Sequence, residues 1–164
     1  MFARKNLLKE KAKNGEIIMG MESWLRDPRI FELLGQAGFD LAHIENEHVG
    51  HNWEEIENLI RAAELTGMTP LFRCEQTFDG QPPVNQIIKA LKCGAQIIMV
   101  PQVDSAETAK KIVKAAKFPP IGKRGISTAD RSSTEIFPNL SVPDIDCVEF
   151  AKELNDEIML WAII

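Results

Sequence analysis

The sequence predicts an α/β fold with parallel strands, and three observations carry that prediction. Strand-like and helix-like stretches alternate at least four times along the 164 residues, which implies parallel strands joined by right-handed crossovers. The clearest strand, Gln96-Ile97-Ile98-Met99-Val100, is an unbroken apolar run, the pattern of a strand covered on both faces. No G-x-G-x-x-G or G-K-[ST] phosphate cradle is present, and Lys123-Arg124-Gly125 lacks the strand-turn context of one. An open doubly wound sheet and part of a (β/α)8 barrel both fit the alternation; the missing motifs withhold support from a nucleotide-binding open sheet.

Residues 3–13 read as a short amphipathic helix, with Lys5, Lys9, Lys11 and Lys13 among apolar Leu7, Leu8 and Ala12. Gly15 ends it, and Ile17-Ile18-Met19-Gly20-Met21 reads as the first strand. Asp27-Pro28 opens a helix, a capping side chain followed by proline at the first helical position. Its apolar stripe is Ile30, Leu33, Leu34 and Ala37, and Gly38 stops it. Leu41 to Ile44 is the second strand. Asn52 with Glu55 resembles a capping box; the helix it opens buries Ile56, Leu59, Ile60 and Ala63 and ends at Gly67. Thr69 to Arg73 is the third strand. A polar loop, Glu75 to Gln81, carries the turn signal Asp79-Gly80. Pro82-Pro83 leads into a helix with Ile87, Ile88 and Leu91 inward, ended by Gly94. After the fourth strand, Asp104 and Glu107 form a further capping pair for a helix running to Lys117. Residues 118–143 are rich in Pro, Gly and Ser without a clear period, and a loop of that length is usually functional. A helix near 146–154 and a fifth strand, Glu157 to Ile164, complete the chain.

At 18.4 kDa, 45% hydrophobic and 26% charged, the chain suits one domain, residues 1–164, with a real core. A net charge of -5 and the lack of a basic stripe argue against nucleic acid. No run approaches the roughly 18 apolar residues of a membrane helix, and the first residues lack the apolar core and cleavage site expected of a signal peptide. Cys74, Cys93 and Cys147 show no C-x-x-C spacing, as expected of a reduced, cytoplasmic protein. The wholly apolar end, Ile158 to Ile164, would leave an aggregation-prone edge. A complete barrel needs about 250 residues, so the sequence is expected to be a piece of a longer protein.

Ile44-Glu45-Asn46-Glu47-His48 places two carboxylates and an imidazole where a buried strand gives way to a loop. In parallel α/β folds that end carries the chemistry. His48 is either a loop histidine or a general acid/base, with Glu45 or Glu47 as its orienting carboxylate. Arg73 ends the next apolar strand, where arginine is costly without an anion. It pairs internally, with Glu47 or Glu75, or it binds a substrate carboxylate or steadies an enolate oxygen. The second reading leads because His48 and Arg73 end consecutive strands and would face one mouth. His43 reads as a packed or interface histidine, and His51 as a ring beside a helix N-terminus. The spacing His43, His48, His51 matches no standard zinc set. The methionines on strands read as core, and Trp24 and Trp53 as packing residues.

The sequence resembles the HpcH/HpaI aldolases. The resemblance rests on Ala37-Gly38-Phe39-Asp40, Glu45-Asn46-Glu47-His48, Arg73, Val100-Pro101-Gln102-Val103 and Pro119-Pro120-Ile121-Gly122-Lys123-Arg124-Gly125, in that order. It implies a (β/α)8 barrel, of which this chain covers roughly the first five strands, in a homo-oligomer, often a hexamer. It implies a class II aldolase that cleaves or forms 4-hydroxy-2-oxo acids through a pyruvate enolate. The partners implied are a small 2-oxo acid and an aldehyde. The cofactor implied is a divalent metal (Mg, Mn or Co) acting as Lewis acid, its ligands beyond Ile164. By the same resemblance His48 is the catalytic acid/base and Arg73 the enolate-stabilising arginine. Glu45 stands where the family has an aspartate paired with that histidine, and Glu47 supports the water shell of the metal. Two other readings stand beside it: a citrate-lyase-like acyl-CoA lyase, for which no CoA site is marked, and a non-catalytic barrel subunit. The Glu45 replacement supports the latter; retention of His48 and Arg73 opposes it.

Overall fold

The computed structural model describes residues 3–127, 130–132 and 146–164. Within the irregular stretch expected over 118–143, residues 128–129 and 133–143 lie outside the described residues. The elements run α1 (Leu7–Lys13), β1 (Gly20–Ser23), α2 (Arg29–Gln36), β2 (Leu41–Glu45), α3 (Trp53–Leu65), β3 (Thr69–Arg73), α4 (Val84–Cys93), β4 (Ile97–Val100), α5 (Ala106–Ala116), α6 (Cys147–Glu157) and β5 (Met159–Ala162). All five strands are parallel and lie in the order β1-β2-β3-β4-β5.

That order separates the two candidate architectures. A doubly wound sheet reverses direction at a switch point. Here each strand is added to the same edge, so right-handed crossovers put the intervening helices on one face. Strand alternation then sorts the side chains. Ala42, Ile44, Phe72, Ile98 and Val100 point to the helices and form the main core with Ile56, Leu59, Ile60, Ile87 and Leu91. Leu41, Leu71 and Ile97 point the other way and are sealed at the N-terminal end of the sheet by Leu8 of α1. The same inner face carries Glu22, His43, Glu45 and Arg73 towards the C-terminal ends of β1, β2 and β3, by the register Glu22↔His43 and Glu45↔Arg73. The arrangement is an arc of a (β/α)8 barrel.

Most elements follow the sequence signals, and the differences have local causes. Asn52 and Glu55 form the expected capping box, the Asn52 carboxamide accepting from Glu55 N and the Glu55 carboxylate from Asn52 N. β1 begins three residues later than expected. Met19 O accepts from Asp40 N and Leu41 N before the ladder starts at Gly20, where a Cβ would sit 2.9 Å from Leu41 Cδ2. Met19 and Met21 are therefore exposed rather than core. Asp27 does not cap α2 in the usual way: Pro28 holds the cap position, and the Asp27 carboxylate takes Arg29 N instead. Ser105, not Asp104, caps α5, its hydroxyl accepting from Thr108 N at 3.2 Å. Trp53 packs on Phe72 at 5.9 Å as expected, whereas Trp24 is exposed and its indole N–H reaches Glu22. The cysteines are unpaired, and burial holds the Cys74 and Cys93 thiols protonated, Cys93 pushed up to about 11. Among the described residues no helix is long and apolar enough to cross a membrane.

Candidate active site

Glu45 is the last residue of β2 and is fully buried, at 0% exposure. A carboxylate in that position needs partners for both oxygens. Its Oε1 accepts from the backbone N–H of Glu47 at 2.6 Å and of His48 at 3.0 Å. Its Oε2 accepts from the Arg73 guanidinium at 3.0 Å. The first pair of bonds folds the chain sharply after the strand. That turn brings Glu47 back over the sheet end, where it pairs with the other terminal nitrogen of Arg73. One guanidinium fork thus bridges two carboxylates, the geometry for which arginine is suited.

The turn is braced from behind. His51 Nδ1 lies 3.0 Å from the Glu45 carbonyl oxygen, so Nδ1 carries the proton and donates. The Asn46 side-chain oxygen accepts from His51 N at 3.0 Å. His51 is buried beneath the loop. Sequence reasoning placed it only beside a helix start; burial of a polar ring needs tertiary packing, which local pattern does not carry.

His48 projects from this turn with 54% of its side chain exposed, and its Nε2 lies 3.4 Å from Glu47 Oε2. Of the two carboxylates that local sequence left open, Glu47 is the one beside the imidazole. Glu45 meets His48 through the backbone N–H alone. The internal reading of Arg73 is the one the geometry shows. It is ion-paired, with Glu45 and Glu47 rather than Glu75, and its side chain keeps 19% exposure towards the mouth.

One layer deeper, His43 is held between Glu22 and Glu45, with Nδ1 and Nε2 each 3.8 Å from a carboxylate oxygen. Burial lowers its pKa, against the opposing pull of the two carboxylates. Neither Glu22 nor this inward role of His43 was found from sequence, although the β1–β2 register makes them neighbours. Two groups of potential ligands result among the described residues: Glu22, His43 and Glu45, and Glu45, Glu47 and His48. In each, the ligand atoms lie within 4.8 Å of one another. Carboxylates with one imidazole suit Mg, Mn or Co. In the second group Glu45 is already committed to Arg73 and two N–H donors and Glu47 to Arg73, which leaves His48 as the group facing outward.

Beside His48 opens a depression of about 500 Å3 lined by Glu47, His48, Glu75, Gln76 and Phe78. Its outer wall is the β3–α4 loop. Phe78 N and Gln81 N exchange hydrogen bonds with each other's carbonyls at 3.1 and 2.9 Å. Asp79 and Gly80 between them have φ of 50° and 67°, the tight turn that the Asp-Gly signal predicts. Lys111 Nζ donates to Gly80 O at 3.1 Å and pins this turn onto α5.

Comparison with known proteins places this geometry in context. The sequence profile described as HpcH/HpaI aldolase/citrate lyase matches residues 23–164. The chain is 34% identical over 132 residues to a hydroxypyruvate/pyruvate aldolase of Roseobacter denitrificans, covering 79% of this chain and 48% of that protein. It is 29% identical over 126 residues to a 2-keto-3-deoxy-L-rhamnonate aldolase of Escherichia coli, covering 76% and 45%. Among solved structures, an HpcH/HpaI aldolase from Desulfitobacterium hafniense superposes with a TM-score of 0.78 at 30% identity, over 94% of this chain and 55% of that one. The citrate synthase SbnG superposes at 0.76 with 28% identity, over 100% and 56%. The chain spans about half the length of the relatives it matches.

Proposed function

The chain belongs to the HpcH/HpaI aldolase/citrate lyase family, and from that premise we propose that its protein is a metal-dependent aldolase. The reaction is formation or cleavage of a 4-hydroxy-2-oxo acid through a pyruvate enolate. The observation that carries the proposal is the convergence of Glu45, Glu47, His48 and Arg73 at the C-terminal ends of two adjacent parallel strands. The named aldolase activities of the relatives support it.

Each residue has a part that follows from its surroundings. Arg73, paired with two internal carboxylates yet 19% exposed at the mouth, offers charge to the oxygen that becomes an enolate. His48 is the exposed titratable group beside it and moves the proton to or from the reacting oxygen or carbon. Glu47, 3.4 Å from Nε2, orients the imidazole. Glu45 holds Arg73 on one side and the backbone of His48 on the other, so it fixes their spacing. A divalent cation, whose water shell Glu47 would face, would supply Lewis-acid polarisation of the keto acid.

The test is solvent exchange of the pyruvate methyl protons, followed by NMR in deuterium oxide with and without added Mg, Mn or Co. Exchange that requires both the protein and the metal is the expected result. Absence of exchange under every metal would overturn the proposal.

A further inference from the structure

This inference rests on the aldolase reading and deepens it to the class of aldehyde accepted. On that reading Arg73 takes the enolate side of the site, and the adjoining depression of about 500 Å3 is the surface this chain offers to the aldehyde. Its lining carries the Glu47 and Glu75 carboxylates, the His48 imidazole, the Gln76 carboxamide and the Phe78 ring, and neither lysine nor arginine. Glu47 is ion-paired with Arg73, which it shares with Glu45. The Glu75 carboxylate is exposed and has no ion-pair partner among the described residues; only its backbone N–H is engaged, by Gln86 Oε1 at 2.9 Å. Gln76 is tied to Gln102 at 2.8 Å, and the pinned turn holds Phe78 in place. The wall therefore offers an acceptor to hydroxyl groups and a negative charge to anything anionic.

We propose that Glu75 is a specificity-determining residue, which selects aldehydes with an uncharged hydroxylated tail over aldehydes ending in a carboxylate. A like charge brought to roughly 6 Å at intermediate dielectric costs on the order of tenfold in kcat/KM.

The experiment compares the native protein with Glu75→Gln and Glu75→Lys in two assays. Metal-dependent exchange of pyruvate methyl protons involves no aldehyde. It is expected to be equal in all three; its absence from the native protein would remove the aldolase reading and this inference with it. The second assay is the ratio of kcat/KM for glyceraldehyde to that for succinic semialdehyde. The native ratio is expected to exceed ten, to fall about tenfold in Glu75→Gln, and to fall further in Glu75→Lys. A ratio unchanged across the three, with exchange intact, would overturn the role of Glu75 and leave the aldolase reading standing. Loss of exchange in Glu75→Lys alone leaves the decision to Glu75→Gln, which changes charge and not shape.

Discussion

Replacing Arg73 with methionine tests whether the site is held by its central ion pair. Arg73 reaches Glu45 at 3.0 Å, and the Glu45 side chain has no access to solvent. Removing one member of a buried pair strands the other and costs roughly 3–5 kcal/mol. Two features reduce that figure here. Glu45 keeps two backbone N–H donors, and the Arg73 side chain is 19% exposed, so water can enter its place. About 2–3 kcal/mol is the resulting expectation. For a domain of this size that corresponds to a fall in Tm of roughly 4–12 °C. The assay is urea unfolding of the native protein, Arg73→Met, Glu45→Gln and the double variant. Because the penalty comes from a stranded charge, Glu45→Gln in the Arg73→Met background should recover about half of the loss. A single-variant loss below about 1 kcal/mol, or a double variant that merely adds the two losses, would refute the reasoning.

Four further outcomes are expected. His48→Ala should slow pyruvate exchange by about 10²–10⁴-fold while unfolding stability moves by no more than about 0.5 kcal/mol, since the ring is mostly in solvent; equal loss of both would point to a structural histidine. The His43 pKa is lowered by burial, so between its folded and unfolded values the unfolded chain binds the extra proton. Stability should therefore fall as pH drops below about 6.5, and His43→Gln should flatten that part of the profile in a pH series of denaturation curves. Asn52→Ala removes the acceptor for Glu55 N and should cost about 1 kcal/mol by thermal or urea unfolding, with Asn52→Ser close to native. Gly122→Ala would place a Cβ 2.0 Å from the backbone oxygen of Lys117. Its cost should exceed about 2 kcal/mol, whereas Gly125→Ala, which meets nothing within 4 Å, should change unfolding little.

The candidate site is legible in the sequence where chemistry and secondary structure coincide. Arg73 was visible because an arginine ending an apolar strand demands an anion, and Glu45 through His48 because they follow the neighbouring strand. The Asn52–Glu55 box and the Asp79-Gly80 turn were legible because both are closed within a few residues. What stayed hidden depends on neighbours far along the chain. Nothing local says that Glu47, past the end of β2, curls back to share Arg73 with Glu45. That depends on the Glu45 carboxylate capturing two downstream N–H groups. Glu22 and His43 meet only because β1 pairs in the observed register, and the sequence placed β1 three residues too early. The choice between an open sheet and a barrel lay in strand order, which hydrophobic pattern does not encode.

The bridging of two carboxylates by Arg73 also sets how tightly an anion can be held. The guanidinium is not waiting unpaired in the mouth; its terminal nitrogens already rest on Glu45 and Glu47. On the proposed function, an incoming 2-oxo acid would not meet a bare charge. It would enter an exchange of one anion for another, and its affinity at this residue would be the difference between two similar interactions. Such a site grips a ground-state carboxylate weakly. It responds more strongly to an oxygen whose negative charge grows during reaction, because that growth tips an exchange already near balance.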